Sequence, residues 1–530
     1  MPALPVTLWA PISRLPPELL SLVFCHLRDI KIEQCDSEYH HDAFERPFEF
    51  QRKFAVENWM KISHVCHSWR EVALNTVSLW SHLIVTRSSY KWAEECLRRS
   101  KESSLVLFAH FSGANGLNSH HPSRALLREL KNHIGRCRVL NLQLATEDLI
   151  DLLSQTNTSH LVQFHYCYRS DSAGSRLFPP LIDDSLLRAD SLRRLSISSC
   201  PIDWTASIFR RLTHLKLYCI PEEFKLECHT FVSFLVGMPQ LEVLDLCDFL
   251  RMENSEGNRR QADGTHLQHL KYVELRDNPQ ALAGFLSSLP IPPLCKLCIN
   301  GEGSPATAAE ELLPILSWVS NHFRPPISGS PNASGTHHNY WRSLRIYHFE
   351  SCFGYEGYIE ENLREQNKVL FQHCIWLPED TDDFDEVPNL PQPLFTPLPI
   401  SHIVYLEING DSDNQWSVLS KSMWINIFGS ISTLESICIH SAQSLPFFQA
   451  LLPYDPNDLD SEPMPFPGLS SVSVERDNPD YDLILRSLLY RFQHGAALKR
   501  LVLDDCSEIA SSDLERLQEV VGEAEVKKSL

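Results

Sequence analysis

The sequence predicts an α/β chain in two parts, a small N-terminal helical module and a long, irregular stack of strands joined by loops and helices. Three observations lead there. Apolar residues recur at helical spacing within residues 15–27 and 59–73. An apolar triplet of spacing i, i+3, i+5 recurs twelve times between Cys137 and Leu503. The length of 530 residues exceeds what one compact core accommodates.

The module begins at Leu15-Pro16-Pro17-Glu18. Prolines suit a first helical turn, where the missing N–H would have no partner, and Glu18 complements the positive end of the helix dipole. Leu19, Leu20, Val23, Phe24 and Leu27 then form one apolar stripe. In the second block Trp59, Ile62, Val65, Cys66, Trp69, Val72 and Ala73 fall at intervals of three and four, and Ser78-Leu79-Trp80 follows. Helices this short bury little surface alone and need something to pack against.

Leu15-Pro16-Pro17-Glu18-Leu19 with Val23 and Phe24, then Val65-Cys66 with Trp69-Arg70, then Leu79-Trp80 resemble the F-box, the adaptor-binding module of substrate receptors in cullin-type ubiquitin ligases. The ending Ser78-Leu79-Trp80-Ser81-His82-Leu83 looks like the form common in fungal members. The match covers residues 12–85 and departs from the usual pattern in a long polar insertion at about 28–58. The resemblance implies that Leu15, Pro16, Leu19, Val23, Phe24, Val65, Cys66, Trp69, Leu79 and Trp80 contact a Skp-type adaptor or pack the module's own core, with Trp69 and Trp80 as anchors.

After a connecting segment, residues 86–136, the triplets begin. They run Cys137/Leu140/Leu142, Leu161/Phe164/Tyr166, Leu192/Leu195/Ile197, Leu212/Leu215/Leu217, Leu241/Leu244/Leu246, Leu270/Val273/Leu275 and Leu294/Leu297/Ile299, then Trp341/Leu344/Ile346, Ile403/Leu406/Ile408, Leu434/Ile437/Ile439, Leu469/Val472/Val474 and Leu498/Leu501/Leu503. The last two residues of each lie on one face of a strand, with the first at its entry. Strands repeated at such intervals suggest a stacked solenoid, and the pattern resembles leucine-rich repeats. Cys200, Asn278 and Cys506 stand where such repeats place Asn or Cys, but Phe249, Phe349 and Ala442 do not fit, so residues 137–530 are expected to form an irregular solenoid. A single large α/β domain with Leu-rich strands is the competing reading.

Helical patterns lie between strands at 229–236, 281–289, 308–319 and 483–492, with a kink or a shorter helix expected at Pro314. Ser512-Asp513-Leu514-Glu515 reads as a capping box opening a final helix that covers the end of the stack. Loop insertions are expected near residues 324–340, 378–399 and 455–468; in the second, six of the eight residues from Glu379 to Glu386 are acidic.

No catalytic constellation is legible. Cys295-Lys296-Leu297-Cys298 has a metal-ligand spacing but lacks a second pair and falls on a strand, where packing explains it better. His40-His41 and His337-His338 lie in polar segments. There is no phosphate-binding Gly-rich loop and no Gly-x-Ser-x-Gly elbow. No cofactor and no metal are expected.

A net charge of −20 argues against nucleic acid and anionic membranes as partners. The start of the chain has no basic region followed by an apolar core, and no apolar run is long enough to span a bilayer. The sixteen cysteines are therefore expected to be reduced, in a cytoplasmic and/or nuclear protein. Taken with the resemblances, the expected fold class is a small F-box module followed by an irregular leucine-rich-repeat solenoid. The expected function is that of a non-catalytic substrate receptor of a cullin-type (SCF) ubiquitin ligase, joined through the Skp-type adaptor to a cullin scaffold and binding a protein substrate of unknown identity. The alternative is a leucine-rich-repeat interaction scaffold with no ligase role.

Overall fold

The computed structural model describes residues 15–38, 60–86, 90–110, 122–168, 179–251, 267–302, 305–323, 340–349, 352–360, 369–376, 395–410, 419–442, 444–453, 464–477, 479–506 and 509–527. The chain divides into two compact units, Met1–Phe224 and Lys225–Leu530. Most of the insertion at 28–58 lies outside the described residues, as do the two His-His pairs, the acidic run 379–386 and most of the three expected loops.

The first unit opens with α1 (Pro17–Glu38), which continues well past Arg28, where the polar insertion was expected to begin. Short 3-10 turns, Lys61–His64 and Val77–Trp80, flank α2 (His67–Asn75). Cys66 caps α2, its Sγ accepting from the Trp69 N–H at 3.5 Å. Then follow β1 (His82–Val85), α3 (Tyr90–Ser100), β2 (Leu105–His110), α4 (Pro122–Lys131), β3 (Cys137–Gln143), α5 (Thr146–Leu153), β4 (Gln163–Cys167), β5 (Arg194–Ser198) and β6 (His214–Tyr218). Neighbours from β1 to β6 pair in parallel and in chain order.

The helical segment is built into this unit. Trp80 is buried, its Nε1–H donates to the Ala73 carbonyl at 3.0 Å, and its ring lies 5.4 Å from Trp92 of α3. The Arg99 guanidinium sits 4.6 Å from the same ring, and the Val106 N–H donates to the Ser81 carbonyl at 3.0 Å.

The second unit contains α6 (Cys228–Val236), β7 (Val243–Cys247), β8 (Tyr272–Arg276), α7 (Pro279–Ser288), β9 (Lys296–Glu302), α8 (Pro305–His322), β10 (Ser343–Phe349), β11 (Cys352–Tyr358), β12 (Val369–Trp376), β13 (Tyr405–Asn409), β14 (Ser436–His440), α9 (Leu445–Ala450), β15 (Ser471–Glu475), α10 (Tyr481–Gln493), β16 (Arg500–Asp504), α11 (Ser511–Val520) and β17 (Glu523–Lys527). The register order differs from chain order. β9 pairs in parallel with β12, β12 and β11 pair antiparallel, β11 and β10 pair antiparallel, and β10 pairs in parallel with β13. From β13 to β17 the pairing is again parallel and sequential.

All twelve triplets end on strands, and their last two residues are buried throughout. The fold class drawn from them does not stand. The seventeen strands among the described residues form mixed parallel and antiparallel sheet structure with strands of irregular length, not an N-terminal F-box module followed by a leucine-rich-repeat solenoid. The physical reason is that an apolar triplet reports a strand with one buried face; it carries no information about which strand lies beside it. β11 and β12 lack the triplet, and they separate β9 from β10.

Smaller expectations also change. Leu294 is exposed, and Cys295 takes the buried entry position before β9. α8 runs through Pro314 without ending. The expected capping box does not form: Ala510 is the N-cap of α11 and makes no side-chain cap bond. The last described element is β17, paired with β16, rather than a covering helix. Among the described residues Cys374 is disulfide-bonded, against the expectation that all cysteines are reduced. Among the described residues no helix is long and apolar enough to cross a membrane.

A recurrent turn closes several strands. Ser199, Asp248, Ser441, Arg476 and Asp505 each follow a strand's last residue and have φ between 45° and 58°. Each N–H donates to the carbonyl of the last residue of the neighbouring strand, as Arg476 does to Asp504 at 3.0 Å.

Candidate functional site

In most strands of the second unit one face carries the apolar core and the other is more polar, the consequence of a two-residue side-chain period. The registers align the polar positions into rows. The central row reads Asp245, Glu274, Cys298, Gln372, Glu356, Arg345, Glu407, Cys438, Ser473, Val502 and Glu525. Five of these residues are carboxylates and one is a cation. The strands β1 to β6 of the first unit contain no Asp or Glu at all.

The carboxylates of the row are held by their neighbours. Glu274, 3% exposed, accepts from the Tyr272 hydroxyl at 2.8 Å and from Arg276 Nη2 at 2.8 Å. Arg345 is shared: its Nε donates to Glu407 Oε1 at 2.8 Å, and its Nη1 donates to Glu356 Oε2 at 3.1 Å and to the Tyr358 hydroxyl at 2.9 Å. Asn409 Nδ2 adds a bond to Glu407 Oε1 at 3.0 Å, and the Tyr358 hydroxyl donates to Glu356. Burial works against the guanidinium charge, but Glu407, Tyr358 and Glu356 outweigh it and hold Arg345 above its ordinary range. Burial first, then Cys298 and Glu274 for Tyr272 and Glu356 for Tyr358, push both hydroxyls well up, so both act as neutral donors.

Next in the row, Cys438, His440 and Glu475 form a chain across β14 and β15. Cys438 Sγ lies 3.2 Å from His440 Nε2, and His440 Nδ1 lies 2.7 Å from Glu475 Oε2. Cys438 Sγ is also 3.9 Å from Glu475 Oε1. The order thiol, imidazole, carboxylate has the connectivity of a nucleophile, its base and an orienting group. The setting opposes that chemistry. Burial, followed by Glu475 and Glu407, pushes the thiol up to about 12, whereas reactive thiolates occupy electropositive surroundings. The three ligand atoms lie within 4.8 Å of one another, close enough to share an ion. Reading the sequence alone missed this group. Its signal was Cys-x-His on one strand and a Glu at the strand's register partner, visible only once β14 and β15 are aligned.

Cys295 and Cys298, the pair with metal-ligand spacing, do not converge: Cys295 joins the apolar side, and Cys298 sits in the polar row, 3.8 Å from Asn300 Oδ1.

The ten residues singled out in the N-terminal segment are divided by the structure. Leu15, Pro16, Leu19, Val65 and Cys66 are exposed. Phe24, Leu79 and Trp80 are buried, and Val23 and Trp69 are half-buried. Phe24 and Trp69 pack with ring centroids 5.2 Å apart, which joins α1 to α2.

No family model matches the chain, and no curated protein matches it. With no match to an F-box or leucine-rich-repeat model, and with a mixed sheet in place of the expected architecture, the resemblance does not hold. The ubiquitin-ligase receptor function inferred from it falls with it, as does the alternative of a leucine-rich-repeat scaffold.

Proposed function

We propose that the chain is a non-catalytic binding protein that uses the acidic strand face of its second unit to hold a cationic segment of a partner protein. The observation that carries the reading is the central row, in which Asp245, Glu274, Glu356, Glu407 and Glu525 lie in register with Arg345 as the one cation. Asp245, Glu274 and Glu407 are buried, and Arg276 and Arg345 already pair with three of the row's carboxylates, so the row acts on a mobile chain of lysines and arginines through its net negative field, and the net charge of −20 steers the same partners toward the molecule. Nucleic acid and anionic membranes are disfavoured by the same charge.

The test is a titration of the full chain with a fluorescent Lys/Arg-rich peptide and a Glu-rich peptide of equal length, at low and physiological salt. The reading expects binding of the basic peptide alone, weakened by salt. Equal binding of both peptides, or of neither, overturns it.

A further inference from the structure

We propose that Cys438, His440 and Glu475 form a binding site for a thiophilic divalent cation, with zinc as the ion whose chemistry fits best. This proposal is independent of the partner reading above. Thiolate, imidazole and carboxylate are the donor types that zinc takes, at about 2.3, 2.0 and 2.0 Å respectively. Around a tetrahedral ion those lengths place the donors about 3.3–3.6 Å apart. The separations of 3.2 Å for Sγ to Nε2 and 3.9 Å for Sγ to Oε1 bracket that value.

The backbone makes the arrangement rigid. His440 and Glu475 are direct register partners on paired strands, and Cys438 lies two residues before His440 on the same face. Glu407 is the register partner of Cys438 on its other side, so two carboxylates flank the thiol and favour a cation there. His440 Nδ1 lies 2.7 Å from Glu475 Oε2; on binding, the carboxylate gives up this contact and turns to the ion, and His440 ligates through Nε2, the nitrogen 3.2 Å from Sγ. His440 and Glu475 are each 33% exposed, so an ion can enter and a water can fill the fourth position. On binding, the hydrated ion exchanges three waters for Sγ, Nε2 and Oε1, and the Cys438 S–H proton passes to solvent as the metal–sulfur bond forms.

The experiment uses cobalt(II) as a spectroscopic stand-in, titrated into chelator-treated full-length protein, then displaced with zinc. The proposal expects visible bands of four-coordinate cobalt and a thiolate-to-cobalt band in the near ultraviolet, all removed by zinc. Cys438→Ser abolishes the thiolate band, and His440→Gln weakens binding about 10-fold or more. Because His440 is partly exposed, His440→Gln keeps the fold and decides the matter if Cys438→Ser does not. Absence of the bands, or bands unchanged in a folded variant, overturns the proposal.

Discussion

Arg345 donates from Nε to Glu407 Oε1 at 2.8 Å, joining β10 to β13, two strands that pair in register although β11 and β12 come between them in sequence. Glu356 holds the other side of the same guanidinium. Arg345 is 22% exposed and the two carboxylates 14% and 9%, so the trio is shielded without being sealed. Removing the cation leaves two carboxylates facing each other in a partly desolvated setting. Arg345→Met is expected to lower unfolding stability by about 3 kcal/mol, read from denaturant unfolding. A loss under ~1 kcal/mol, the range of an exposed ion pair, would show that solvent screens the trio.

His373 offers a second test. It lies in the core of β12, fully buried and stacked 5.0 Å from Tyr355, and neither ring nitrogen has a hydrogen-bond partner among the described residues. Burial lowers it from 6.5 to about 4. The unfolded chain therefore binds the proton first. Stability from this residue is complete above pH 6.5 and is lost as pH falls toward 4. His373→Phe keeps the ring and removes both unsatisfied nitrogens. It is expected to raise stability by about 1–3 kcal/mol and to flatten the pH dependence between 6.5 and 4. An unaltered acid limb of the stability curve would rule out His373 as its source.

Gly357 marks where the antiparallel strands meet the core. A Cβ at this position would stand 2.2 Å from Cε2 of the fully buried Trp341. Gly357→Ala is expected to cost about 3 kcal/mol, the upper range for overpacking, with a change in Trp341 fluorescence. A neutral substitution would mean the indole has room to move.

The strand-closing turn predicts a gain. Arg476 has φ of 55°, and its side chain is exposed with only a 3.9 Å ion pair to Asp505. Relief of the left-handed strain outweighs the entropy of glycine and the weak pair, so Arg476→Gly is expected to raise stability by about 0.5–1 kcal/mol in thermal unfolding. Destabilisation would show that the Arg476 side chain contributes more than its exposure indicates.

These features were unequally legible in the sequence. Leu244 and Leu246, or Ile437 and Ile439, announce their strands because burial of one face imposes alternation. Helices α6, α7 and α10 were readable from helical spacing for a similar reason. β11, with Gly354 and Gly357 among its seven residues, has too few large apolar side chains to read as a strand; Tyr347 and Trp341 fill the space the glycines leave. Pairing order is a long-range property, so neither the interposition of β12 beside β9 nor the acidic row could be read locally. The Leu-Pro-Pro-Glu start was a true helix signal, since α1 begins at Pro17. The family inferred from it was not, because a short helical pattern is compatible with many surroundings.

The acidic row is proposed to hold a cationic segment. The direct measurement is the affinity of the Lys/Arg-rich peptide for the Glu274→Gln, Glu407→Gln double variant, whose amide oxygens still accept the bonds from Arg276 and Arg345. With the fold verified by circular dichroism, the expected affinity is at least about fivefold weaker, equivalent to about 1 kcal/mol, with a shallower salt dependence. Unchanged affinity in a folded double variant would contradict it.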